Sequence, residues 1–173
     1  MSTGSTTIGK VPPATMDMLR GILAGALVAA LSGALWFGAD VLLYSLIGER
    51  ETVSIKVILI PFLLAGVLGG WTAQSVIWGA RRGGLIMAIS SALLLLVALF
   101  ISDYFLDRHY MIQAMAESGM SIDSVPLLLP LDRMIDLVQI GLESSPIYAV
   151  YYGIALLVAF ITPLTPGGRR VRR

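Results

Sequence analysis

VSIKVILIPFLLAGVLGGWTAQSVIWGARR, residues 53–82, decides the fold. No charge follows Lys56 until Arg81. The intervening run of about 24 residues makes roughly 36 Å of helix, enough to cross a hydrocarbon core of roughly 30 Å. The stretch therefore reads as a membrane span. Arg81 and Arg82 mark its cytoplasmic end, and Trp78 stands at the height of an interfacial aromatic belt.

The rest of the chain has the same character. It is 57% hydrophobic and only 13% charged over 173 residues, with a mean hydropathy of +0.85, whereas soluble domains carry about 25% charged residues. This composition predicts a one-domain integral membrane protein. The absence of cysteine excludes a disulfide framework, a thiolate metal site and a cysteine nucleophile.

On the N-terminal side, residues 1–16 are rich in Gly, Ser, Thr and Pro, and Pro12-Pro13 opposes a helix, which predicts a disordered cytoplasmic tail. Leu19–Ile47 is a further span. A cleavable signal peptide is the competing reading, given the small residues Ser32-Gly33-Ala34. The apolar run continues through Trp36, Phe37 and Leu42, too long for a signal core, and predicts an uncleaved anchor.

On the C-terminal side, Gly83-Gly84 predicts a tight turn, and Leu85–Ile101 the core of a third span. No Gly or Pro intervenes before Gly119, so helix is expected to persist outside the bilayer to about Glu117. A loop follows to Pro130, with an apolar patch from Val125 to Leu129. Leu131, Met134, Ile135, Val138 and Leu142 then share one face of an amphipathic helix over 131–142, expected to rest on the bilayer or on the stalk from Tyr104 to Met115; with Asp132 and Asp136 opposing anionic lipid, protein is the expected cover and this face the expected partner-binding surface. Ser145 and Pro146 suit the cap and first position of the last span, where Tyr148, Tyr151 and Tyr152 read as an interfacial belt.

Together these segments predict an all-α fold: an integral membrane bundle of four transmembrane helices within residues 17–166. Its spans are about 19–47, 55–80, 84–106 and 147–164, with an external extension of the third and an external helix before the fourth. Residues 167–173 form a basic cytoplasmic tail. Lys10, Arg20, Arg81, Arg82, Arg169, Arg170, Arg172 and Arg173 fall on one side, and Arg50, Lys56, Arg108 and Arg133 on the other. That asymmetry places both termini in the cytoplasm and the protein in the cytoplasmic (inner) membrane.

Among chemistry-bearing residues, Asp40 stands out, because a carboxylate within an apolar span is expensive and by default functional. It would serve as a proton or cation site, or else hydrogen-bond Tyr44, Ser45 or another helix. Gln74 is a second polar group inside a span. Asp103 and Asp107 share a helix face, but His109 points about 160° away, so the spacing supplies two metal ligands at most. Gly21 with Gly25, and Gly66 with Gly70, have the spacing that lets helices approach closely. No phosphate loop, dinucleotide fingerprint or nucleophile elbow is present, so neither an enzyme nor a cofactor is expected. The arginine-rich tail reads as a lipid anchor, with no nucleic-acid partner.

The layout resembles small four-span bacterial membrane proteins of unassigned function, sometimes fused to a zinc ribbon. The resemblance rests on Gly21, Gly25, Gly33 and Trp36 in the first span, the link Arg81-Arg82-Gly83, and a last span opened by Pro146 with Tyr151, Ala155 and Ala159. The Gly-Tyr-x-Ile-Gly-Trp-like turn associated with such proteins is replaced by Glu49 to Ser54, and there is no zinc ribbon. The resemblance implies a fold and no activity. Two functions remain: a non-catalytic scaffold or accessory subunit whose partners are the lipid bilayer and another membrane protein or itself, or a small transporter or channel component using Asp40.

Overall fold

The computed structural model describes residues 13–47, 55–119, 129–144 and 146–165, and every regular element among them is helical. In chain order these are α1 (Pro13–Ile47), α2 (Ile55–Ala80), α3 (Leu85–Glu117), α4 (Leu131–Ser144) and α5 (Ile147–Ile161), the last continued by a 3-10 turn, Thr162–Leu164. Helices α1, α2, α3 and α5 with its turn are long and apolar enough to cross a membrane. Residues 1–12, the link at 48–54, most of the loop before Pro130, Ser145 and residues 166–173 with the basic tail lie outside the described residues.

Helix ends follow from local chemistry, with two corrections. The expected tail extends through residue 16, yet α1 begins at Pro13. A proline in the first turn has no needed N–H to lose and a φ already suited to helix, so Pro13 starts the helix that it was expected to oppose. Similarly, Pro146 occupies the cap of α5 and not its first helical position. At the end of α2, Arg81 adopts φ 54° and its N–H bonds to Trp78 O at 3.3 Å. Gly84, at φ 128°, donates its N–H to Pro163 O at 2.9 Å and ties the α2–α3 turn to the end of α5. Uninterrupted by Gly or Pro, α3 runs 33 residues, about 50 Å, so it overruns a bilayer of roughly 30 Å.

Close helix approaches assemble the bundle. A Cβ on Gly21 would lie 2.6 Å from Ala80 Cβ, and one on Gly79 2.7 Å from Arg20 O; Gly25 sits on Val76. Helices α1 and α2 therefore pack antiparallel, nearly backbone to backbone. Gly33 does the same for α1 and α3: its Cβ would meet Ala98 O at 2.8 Å, and its carbonyl accepts from Ser102 Oγ at 2.8 Å. Between α2 and α5 the close approach is made by Gly69, against Ala155. Gly70 comes only to van der Waals distance of Val158, and Gly66 has nothing within 4 Å among the described residues. Trp36, Leu68, Leu95, Leu99, Tyr151 and Ala155 fill the core, while Leu27, Leu31 and Leu35 line an uncovered face of α1. Such an apolar exterior needs lipid to cover it.

Helix α4 packs on α3 and touches α5. Val138 is buried at 7% exposure, with Met134 and Leu137 half-buried beside it. The docked face is thus rotated roughly 60° from the centre of the sequence stripe. That rotation leaves Leu131 at 66% and Ile135 at 48% exposure.

Candidate functional site

The polar residues of the bundle converge at the end opposite Arg81 and Arg82. Helices α1 and α3 run in the same direction with Gly33 against Ala98, so Asp40, two turns on, stands about level with Phe105, from where its side chain meets that of Tyr110. Helix α5 runs antiparallel to α3, fixed by Ser91 Oγ donating to Ala159 O at 2.6 Å. That register brings Tyr152 to Asp103, and Tyr148, one turn earlier on the same face of α5, to Asp40.

The result is a clasp of phenols and carboxylates joining three helices. Asp40 accepts from Tyr148 on α5 and from Tyr110 on α3, the latter at 3.0 Å. Asp103, only 6% exposed, accepts from Tyr152. One residue along, the hydroxyl of buried Tyr104 accepts the N–H of Leu129 at 3.1 Å and holds the end of the loop before α4. Asp40, Asp103 and Asp107 lie close enough to act on one another electrostatically. The phenol donors supply hydrogen bonds that offset both this repulsion and the loss of water.

Beneath the clasp, Trp36 is 2% exposed and meets the rings of Tyr148, Tyr151 and Tyr152 at 6.5, 6.0 and 5.8 Å. Its Nε1, Ser32 Oγ and Thr72 Oγ1 are buried without a hydrogen-bond partner among the described residues. Ser32, Trp36 and Asp40 recur every four residues and share one face of α1.

Asp40 therefore bonds to other helices, one of the two alternatives open from sequence. Gln74 is placed elsewhere: the α1–α2 register sets it about 13 residues, roughly 20 Å, along the bundle axis from Asp40, on the α2 face shared with exposed Leu63 and Val67. His109 turns to the edge of Phe37, with ring centroids 6.2 Å apart. Among the described residues no three His, Asp or Glu side chains gather as a metal site requires. The tyrosines, expected as a belt toward the membrane surface, turn inward. Their spacing of three and four residues from Tyr148 to Tyr151 and Tyr152 was the available signal, since it puts all three on one helix face. In comparisons with known proteins, no family model, no curated protein and no solved structure matches this chain.

Proposed function

We propose that this chain is a non-catalytic protein of the cytoplasmic membrane, with both termini cytoplasmic, acting as a scaffold or accessory subunit of a membrane complex. Its support is the engagement of Asp40 by Tyr110 and Tyr148: the costliest polar group of α1 is used to brace three helices together. The resemblance to small four-span proteins agrees with this and adds no activity. Leu131 and Ile135, uncovered on α4, offer the contact surface for another membrane protein or a second copy. Extraction of native membranes in mild detergent, with the wild type and a Leu131→Asp/Ile135→Asp variant, tests the proposal. The wild type should bring down a stoichiometric membrane protein that the variant loses; identical copurification would overturn the assignment of α4.

A second reading, a small transporter or channel component with Asp40 as a proton or cation site, draws on the line from buried Ser32 and Trp36 to half-buried Asp40. Reconstitution with a pH-sensitive dye inside the vesicles separates the two. Proton flux abolished by Asp40→Asn would favour transport and count against the scaffold.

A further inference from the structure

A groove of 830 Å³, open to the side, runs between α1 and α3. This is the size of a small-molecule site. Its floor is built from small residues, among them Ala26, Ala30, Ala34 and Ala98, and its walls from Leu94, Val97 and Phe105. The polar atoms at its floor are already paired, since Ser102 Oγ donates to Gly33 O. Nothing there calls for water.

The two ends of the groove differ. On α1 it extends from Ala26 to Phe37, about 17 Å of helix, close to the thickness of one leaflet of a core of roughly 30 Å. At the Phe37 end it is bordered by Arg108 and His109. Helix α3 thus segregates its charges: Asp103 and Asp107 belong to the carboxylate cluster, while Arg108 and His109 face the groove. A transmembrane helix of a partner would continue through both leaflets. A lipid has the same polarity as the groove, an apolar tail one leaflet long and a charged head at the membrane surface. Guanidinium pairs with phosphate through paired N–H donors, and imidazole adds a donor.

We propose that the α1–α3 groove is a binding site for one anionic phospholipid of the leaflet at the Arg108 end, its acyl chain on the alanine floor and its phosphate against Arg108 and His109. Binding is stoichiometric and saturable, in contrast to the lipid that covers the uniform leucine face of α1.

Native mass spectrometry of the full chain, released from detergent with graded phosphatidylglycerol or phosphatidylcholine, tests the site. The wild type should retain one phosphatidylglycerol at about a tenth of the concentration needed for phosphatidylcholine. Arg108→Gln/His109→Gln should remove that preference, and Ala30→Phe/Ala34→Phe, which fills the exposed floor, should remove retention of both lipids. Equal retention of the two lipids by the wild type, or undiminished retention by the floor variant, would overturn the proposal. Millimolar inorganic phosphate should not displace the lipid; displacement would show that the head site alone, without the groove, accounts for binding. Should the floor variant fail to insert, wild-type protein labelled with a phosphatidylglycerol carrying a photoreactive acyl chain decides the matter. Adducts should concentrate on Ala26 to Ala34 and Val97 to Ile101, and labelling spread evenly over the four spans would refute the site.

Discussion

Removing the phenol hydroxyls one at a time ranks the three bonds of the clasp. Asp103 is 6% exposed and, among the described residues, Tyr152 is its hydroxyl donor, so Tyr152→Phe leaves a buried acceptor without replacement. Leaving a buried acceptor unsatisfied costs about 1–3 kcal/mol, whereas interhelical bonds in membranes average about 0.6 kcal/mol because the unfolded chain also finds partners. Burial decides which limit applies. Tyr152→Phe should cost about 1.5–2 kcal/mol. Tyr148→Phe leaves half-buried Asp40 with Tyr110 and should cost about 1 kcal/mol, while Tyr110→Phe, near the open end of the cluster, should cost about 0.5 kcal/mol. Unfolding in mixed micelles, by denaturing detergent or steric trapping, measures each value, and a cycle with Asp40→Ala isolates the Tyr148–Asp40 term. The reasoning fails if Tyr110→Phe matches or exceeds Tyr152→Phe, or if the Tyr148–Asp40 coupling lies within about 0.3 kcal/mol of zero.

Two glycines of similar appearance should respond oppositely. Gly33→Ala forces a Cβ to within 2.8 Å of the Ala98 carbonyl oxygen and should destabilise the bundle by about 1–3 kcal/mol, while Gly66→Ala meets open space and should stabilise α2 by up to about 1 kcal/mol, both read in the same unfolding assay. Val138→Asp should free α4, seen as new protease cleavage between Leu131 and Ser144, whereas Ile135→Asp should leave that region as protected as in the wild type. Reporter fusions after Gly48, Gly83, Gly119 and Gly168 should report external, cytoplasmic, external and cytoplasmic positions in turn; an external signal at Gly168 would remove the four-span topology.

The helices were legible because their causes are local. Apolar runs bounded by Gly83-Gly84 and Gly119, with none of those breakers between, are sufficient to specify α3 over its full length. Glycine packing was only half legible. A spacing of four puts Gly66 and Gly70 on one side of α2, but Gly69 meets α5, because the facing side depends on where the neighbouring helix lies. The tyrosines illustrate the same limit more sharply. Near the end of a span, a phenol can reach the membrane surface or turn toward a buried acceptor, and sequence assigns it to the surface by default. What reverses the default is the placement of Asp40 and Asp103 on two other helices, more than forty residues away in each case, at the depth where α5 begins. Neither carboxylate alone announces this. Asp103 sits near the end of an apolar run, where a charge would be solvated at little cost, yet in the bundle it is buried and met by Tyr152 of α5. Burial then makes the tyrosines necessary, since a carboxylate without donors in such a place would strongly destabilise the bundle. The inward-facing clasp is therefore a consequence of helix lengths and registers that no single span encodes.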